Sequence, residues 1–368
     1  MDQHPLILCL CQPEDHWKLI PGYVQAFRRV GYEFVFVGGP VPLDQSIEEI
    51  LAICPRRPEA VFHFESALPL LPEGLPRCDL PTFCFHADTY AYTDHRLRWS
   101  YLFDHAAVFH PGYEAAFREG GHPGAFLLPH AVRREFYDLP DSERIYEIGW
   151  VGQTGGPLYQ NRSRLLSVLF QNFRANDWKK HFTLEEVASV YRRSQIVVNV
   201  GRDDFPHDAN LRVFEVLASG ALLITSLPTE LTQLGFEEGV HFVGYSREEE
   251  VLSTVRHFLQ NEPERLKITG AARTKTLQEH TYDARVSQLL LRLRSTSDRR
   301  QAPARSWSDA RARLIALDFF AAHGVTDCAI HQYWALLKSD PSQAFTGSRL
   351  LAWALGKKFA NSLHAPRR

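Results

Sequence analysis

The sequence predicts an α/β protein: two doubly wound domains, each built on a parallel sheet, followed by a helical extension. Three observations predict it. Short apolar runs alternate with helix-period segments at close spacing from residue 6 to 128, the pattern of strands buried on both faces by crossover helices. A polar stretch at 143–146 then leads into an apolar strand, a glycine-rich turn and a second series of the same kind. Beyond residue 298 an arginine-rich break, Arg299-Arg300-Gln301-Ala302-Pro303-Ala304-Arg305, gives way to helical spacing alone. The expected boundaries are therefore 1–143, 144–298 and 299–368.

In the first domain the apolar run at 6–10 is a strand, and a polar break at 12–15 follows it. Trp17, Ile20, Val24 and Phe27 recur at helical spacing up to Gly31. A strand at 33–37 closes on Gly38-Gly39-Pro40, Ile47, Ile50 and Leu51 mark a helix, and further strands are expected at 60–64, 82–85, 106–109 and 125–128. No Gly-x-Gly-x-x-Gly follows the first strand, which disfavours a nicotinamide or flavin domain. Phe85-His86-Ala87-Asp88 falls at a strand end, where open sheets hold ligands. His86 and Asp88 are close enough in sequence for one to act as a base, although the segment equally fits an Asp turn with a buried His. His110 and His130, the latter in Leu128-Pro129-His130-Ala131, fit structural roles as readily as polar ones.

The second domain opens with Ile148-Gly149-Trp150-Val151-Gly152-Gln153-Thr154-Gly155-Gly156. Glycines in such a turn let backbone N–H groups approach a phosphate with no Cβ in the way. Asn161 and Arg162 start the next helix. Between 173 and 183 no apolar strand is visible, and Thr183-Leu184-Glu185-Glu186 is a capping box for a helix to about 193. A buried strand at 196–200 leads to the stretch from Pro206 to Thr225. There Leu211, Phe214, Val216 and Leu217 form an apolar face, Gly220 stops the helix, and 221–224 is a strand. Asn210, Arg212 and Glu215 lie near the leading end of that helix, where free N–H groups and the dipole favour an anion. A guanidinium there suits a diphosphate, and a carboxylate one turn on suits the paired hydroxyls of a ribose. The same spacing also fits an amphipathic helix whose polar residues face water. A strand at 239–244 and helices at 248–259, 263–278 and 282–293 complete the domain, Pro263 taking the first-turn position.

The totals narrow the function. The chain has 368 residues, 45% of them hydrophobic and 23% charged, and a formal net charge of −2. That composition is globular and carries no field directed at nucleic acid. There is no apolar run of membrane-spanning length, no basic leader and no Cys-x-x-Cys among the six cysteines, so a reduced cytoplasmic protein is expected, with Cys9 and Cys11 in the core. The chain contains no Asp-x-Asp pair, which argues against a divalent-metal sugar-nucleotide site.

Asn210-Leu211-Arg212-Val213-Phe214-Glu215 followed by Ala218-Ser219-Gly220-Ala221-Leu222-Leu223-Ile224-Thr225, then Glu238-Gly239-Val240, Tyr245-Ser246-Arg247-Glu248-Glu249, Arg265 and His280-Thr281-Tyr282, resembles in order the C-terminal half of the CgeB-like (spore maturation protein) glycosyltransferases, relatives of the family 1 and family 4 enzymes. The resemblance implies the GT-B fold: two Rossmann-like domains facing a cleft, the first for acceptor and the second for a nucleotide-sugar donor. It implies hexosyl transfer from a nucleotide-diphosphate sugar, with a UDP-sugar expected, to an unidentified glycan, protein, lipid or small-molecule acceptor, without metal or cofactor. Glu215 would hold the ribose, with Arg212, Asn210, Asp208, Phe214, Gly152, Thr154, Arg162 and Phe182 around the donor; Asp88, His86 and His207 are the catalytic candidates. The family's Glu-x7-Glu pair is broken here, because His207 stands where the first Glu belongs. That leaves the missing carboxylate's role to His207 or Asp208. A GT-B-fold epimerase or hydrolase, or a non-catalytic binding or assembly protein, are the alternatives. The arginines near 300 fit a solvated linker or a peripheral contact with an anionic membrane.

Overall fold

The computed structural model describes residues 4–12, 18–37, 45–64, 71–296 and 301–364, the side chains of 296 and 358–364 excepted. Most of the expected break at 12–15, Trp17, the Gly38-Gly39-Pro40 turn, and Arg299 and Arg300 lie outside the described residues. The chain divides into two compact units, Met1–Leu128 with Gln288–Arg368, and Pro129–Ser287.

The first unit begins β1 (Leu6–Cys9), α1 (Ile20–Arg29), β2 (Glu33–Phe36), α2 (Ile47–Ala52), β3 (Ala60–Phe64), β4 (Thr82–His86), α3 (Thr93–Ser100), β5 (His105–Val108), α4 (Gly112–Glu119) and β6 (Ala125–Leu127). The six strands form one parallel sheet in the order β2-β1-β3-β4-β5-β6. Side chains alternate across it. Phe62 turns to Phe27 of α1, with ring centroids 5.6 Å apart, whereas its neighbour His63 turns to Trp99 of α3 at 5.3 Å. The six cysteines, all among the described residues, form no disulfide, and Cys9 and Cys11 lie in the core.

The second unit runs α5 (Arg134–Tyr137), β7 (Tyr146–Ile148), α6 (Gln160–Asn172), α7 (Leu184–Arg192), β8 (Ser194–Asn199), α8 (Leu211–Ser219), β9 (Leu222–Ser226), β10 (Val243–Tyr245), α9 (Glu248–Gln260), α10 (Glu262–Glu279) and the first residues of α11 (Tyr282–Thr296). Its parallel sheet is ordered β10-β9-β8-β7. On the outer side of β7 a single bridge joins Ile148 to Ala175. The strand absent from the sequence pattern at 173–183 is thus reduced to one residue. Asn176 extends it with side-chain bonds to Trp150 N and O, at 2.8 and 2.9 Å. The chain therefore passes from β7 outward to Ala175 and returns to β8 on the opposite side. Such a reversal between adjacent strands is where doubly wound sheets open a crevice at their carboxyl ends. The Thr183–Glu186 capping box forms, and Gly220 ends α8 at φ +75°, the left-handed position glycine takes at little cost.

Arg285 closes the second unit. Nearly fully buried, it donates to Pro129 O at 2.7 Å, Glu279 O at 2.9 Å, His130 O at 3.1 Å and His280 Nδ1 at 2.7 Å. The same junction pairs Val132 with Thr281 in a parallel bridge. Accepting from a guanidinium keeps His280 neutral; burial, then the Arg285 charge, lowers its pKa to about 3.

The segments after residue 299 differ from expectation. α12 (Asp309–His323), α13 (Thr326–Ser339) and α14 (Ala344–His364) belong to the first unit and do not form a body of their own. Leu317, Phe319, Phe320 and Leu336 share one core with Leu8, Val61, Cys84 and Trp99, and Phe319 stacks on Trp99 at 4.4 Å. Asp318 accepts from Arg98 Nε at 3.1 Å and meets His95 Nδ1 at 2.8 Å. Asp104 receives the returning chain, taking Gln301 N and Ala302 N on one oxygen at 2.6 and 3.0 Å. No helix among the described residues is long and apolar enough to cross a membrane.

Two predictions follow from the packing. Phe319→Ala should cost the first unit about 3–5 kcal/mol by removing the ring that covers Trp99; a urea midpoint unchanged from wild type would refute this. Acid should destabilise both units. Burial lowers the His122 pKa to about 4 in the first unit, as it lowers His280 to about 3 in the second, both from 6.5. This stabilisation is complete above pH 6.5 and fades as the pH falls towards those lower values. Each histidine then accounts for about 2 kcal/mol lost between pH 7 and pH 5, measurable by urea unfolding at the two pH values.

Candidate functional site

At the reversal point of the second sheet, the loop after β7 and the loop after β8 are tied together by two arginines. Arg162, on the first turn of α6, is buried; it donates from Nε to Val200 O and from Nη1 to Gln153 O, both at 2.8 Å. Arg212, on the first turn of α8, donates from Nε to Val151 O at 3.0 Å and from Nη1 to Asn199 Oδ1 at 3.1 Å. The fully buried Trp150 ring lies near both guanidiniums, 4.2 Å from Arg212 and 5.6 Å from Arg162. Among the described residues neither arginine forms an ion pair with a carboxylate. Burial, then the charge of Arg212, lowers the Arg162 pKa to about 10, so it stays cationic at neutral pH.

Gly152 covers this pair. Its φ is +147°, and a Cβ there would lie 2.2 Å from Arg212 Nη2. The backbone conformation requires the glycine, and a Cβ would also displace the end of the Arg212 side chain. At the front of α8, Asn210 is extended and does not cap the helix with its side chain; its Nδ2 donates instead to Asp208 Oδ2 at 3.1 Å. The leading N–H groups of α8 thus have no side-chain cap from this residue, the arrangement that favours an anion.

One turn along α8, the half-buried Glu215 faces a group of phenols. Tyr137, Tyr191 and Tyr282 are all held well above the usual phenol range, by burial first and with the Glu215 charge contributing to each. They remain neutral phenols, and Tyr191 donates to Val151 O at 3.2 Å.

Most of the expected donor residues gather around these loops: Gly152, Thr154 and Arg162 after β7, then His207, Asp208, Asn210, Arg212 and Glu215 before and along α8. The two arginines brace loops with the groups that were expected to reach outward to a ligand. Phe214 does not join them. Fully buried, its ring meets His280 at 5.1 Å and Phe236 at 6.4 Å in the core. Phe182 lies half-buried against the same core, with Lys180 Nζ 5.7 Å from its ring. In the first unit His86 and Asp88, the two candidate bases, are placed differently. His86 is fully buried, 5.8 Å from the Phe117 ring and with Nε2 3.6 Å from Cys84 Sγ. Asp88 lies exposed in the following turn, its carbonyl accepting from Ala91 N. His110 is a strand-end residue whose Nε2 meets Ala87 O at 3.1 Å.

Sequence reasoning missed Asn199 and Glu230. Asn199 holds Arg212 with its oxygen and donates to Thr225 Oγ1 at 3.1 Å with its nitrogen. Glu230, 7% exposed, accepts from Ala209 N at 2.9 Å. Neither has a local signal: one is a polar residue at the end of an apolar run, the other an acid opening a short turn.

Residues 149–291 match the family described as glycosyl transferase-like. No curated protein matches the chain. Among solved structures it is similar to HepE of Anabaena, crystallised with UDP and glucose, at 10% identity and TM-score 0.56 over 79% of this chain and 100% of that one. It is similar also to a glycosyltransferase from Rickettsia africae, at 9% identity and TM-score 0.56 over 80% and 99% of the two chains. A third is the sucrose-phosphate synthase of Thermosynechococcus elongatus, at 12% identity and TM-score 0.53 over 80% and 100%. The fold is GT-B.

The loop brace is directly testable. Arg162→Met leaves the Val200 and Gln153 carbonyls without their donor and should lower unfolding stability by about 2–4 kcal/mol. A loss below about 1 kcal/mol in urea titrations would show that the two loops hold together by other means.

Proposed function

We propose that the protein is a nucleotide-sugar-dependent glycosyltransferase of the CgeB-like kind, with the donor diphosphate at the leading end of α8 and the ribose at Glu215. The observation that carries this reading is the pair of inward-drawn guanidiniums, Arg162 and Arg212, neither in an ion pair with a carboxylate among the described residues, and a glycine turn above them. Two cations at one sheet end, Arg162 buried and Arg212 half-buried, favour an anion between the loops. The glycosyl transferase-like match over 149–291 and the UDP complexes of HepE support a UDP-sugar as that anion.

The chemistry follows from charge. Transfer leaves a diphosphate whose negative charge grows as the glycosidic bond to phosphorus-linked oxygen breaks. Fixed positive charge and backbone N–H groups aimed at that position stabilise the transition state more than the ground state. With two arginines and a helix terminus supplying the charge, the reaction needs no divalent cation and no cofactor. Should the anomeric centre invert, Asp88 is the base to examine, because it is exposed where His86 is buried; His207, at the start of the loop into α8, is the candidate on the donor side. A hexosyl donor and a cytoplasmic setting complete the reading.

Calorimetry with UDP and a panel of other nucleotide diphosphates tests it. Wild type should bind one of them, and Glu215→Ala should weaken that binding at least about tenfold, equivalent to about 1.4 kcal/mol. Arg212→Ala should lower turnover about ten- to a hundredfold. Activity should persist in excess EDTA. Failure to bind any nucleotide diphosphate would remove the transferase reading in favour of a non-catalytic protein that retains the fold; loss of turnover on chelation would overturn metal independence alone.

A further inference from the structure

We propose that Glu230 is a positioning residue for the donor site, clamping residues 207–209 and so setting the leading end of α8. The proposal rests on the donor-site reading above and adds to it a residue that no local sequence pattern marks. Glu230 opens the short turn Glu230–Leu234 after β9. Two hydrogen bonds join it to the loop in front of α8, and they run in opposite directions. Its carboxylate Oε2 accepts from Ala209 N at 2.9 Å, and its own N donates to His207 O at 3.1 Å. Together they enclose Asp208, whose Oδ2 accepts from Asn210 Nδ2 at 3.1 Å. The residue after Asn210 begins α8, which carries Arg212 and Glu215.

This is an expensive way to hold a loop. Glu230 and Asp208 are 7% and 5% exposed, and their carboxylate oxygens approach within 4.8 Å. Burying two carboxyl groups so close together costs stability unless specific bonds offset it. Its placement matters because the loop it holds lacks the Glu that the resemblance expects at 207. Beside Asp208 from within the loop, a second carboxylate reaches it from beyond β9. Without an acceptor for Ala209 N, residues 207–209 lose one of their two ties to the turn, and the reach of α8 toward the diphosphate becomes less defined.

The experiment compares Glu230→Ala with Glu230→Gln in the full chain. Glu230→Ala should raise the Kd for UDP and the KM for the UDP-sugar about tenfold, the effect of one charge-assisted hydrogen bond, while kcat at saturation stays within about threefold. Glu230→Gln, whose amide oxygen can still accept from Ala209 N, should return both constants to within about threefold of wild type. A purely structural defect would lower kcat through the folded fraction and leave Kd unchanged, and that pattern would overturn the proposal. So would UDP binding by Glu230→Ala equal to wild type in an enzyme whose Glu215→Ala variant has lost it. Amide exchange at Ala209 reads the clamp with no ligand present: it should quicken in Glu230→Ala and stay slow in Glu230→Gln. Unchanged exchange refutes the clamp even if wild type binds no nucleotide, the result that would refute the donor-site reading instead.

Discussion

The organisation of the second unit depends on two arginine side chains drawn inward at the carboxyl end of one sheet. Removing a guanidinium from water costs several kcal/mol. Arg162 and Arg212 offset this with hydrogen bonds to carbonyl and amide oxygens, each worth about 1.5–3 kcal/mol for a charged donor, and with the Trp150 ring, worth about 0.5–2 kcal/mol per cation. None of these compensations neutralises the charge. Both guanidiniums stay cationic in this setting, and Gly152 brings the backbone close above Arg212. Under the donor-site reading proposed above, the contacts that brace the loops also present two cations to an anion, which would link packing and binding through one set of atoms.

Much of this was legible in the sequence because it follows from local rules. Apolar runs of strand length gave the parallel sheets, Thr183 and Glu186 gave a cap that forms as expected, and Gly220 could only be a helix stop. The errors share a physical cause, which is that periodicity identifies an element without identifying its partner. Residues after 299 have helical spacing, and the arginine-rich break before them looked like a boundary. Only Trp99, Phe319 and Asp104 reveal that those helices complete the first unit's core. His86 and Asp88 looked adjacent in sequence, yet alternation along β4 sends His86 to the same side as Cys84, while Asp88 lies beyond the strand end. Phe214 belongs with Val213, Val216 and Leu217 on the buried face of α8, so its place beside a charged helix end carried no information about a ligand.

The positions missed are those whose role is set at long range. Asn199 matters because Arg212 folds back onto it, and Glu230 because the turn after β9 returns to the loop before α8. Asn176 is a sharper case. A polar residue in a segment with no apolar pattern reads as loop, yet its side chain bonds both backbone groups of Trp150 and does the work of the missing strand. No window of neighbouring residues contains that information.

The ordered resemblance from Asn210 to Tyr282 has a corresponding division of labour. Several of its residues are architectural. His280 accepts from Arg285, Thr281 pairs with Val132, Tyr282 N donates to Val132 O, and Gly239 N closes a turn on Phe242 O. Such residues define the unit's frame and say little about what it holds. The departures fall elsewhere, at His207 in the loop before α8 and at 173–183 beside β7. Both adjoin the strand reversal where the arginines sit. Each segment is tied to the frame through a few polar contacts, Asn176 to the backbone of Trp150 and Ala209 N to Glu230, and not through a regular strand or helix. It is in those segments, more than in α8 itself, that this chain differs from the pattern it resembles, and under the transferase reading proposed above they are where donor discrimination would diverge while the fold stays the same.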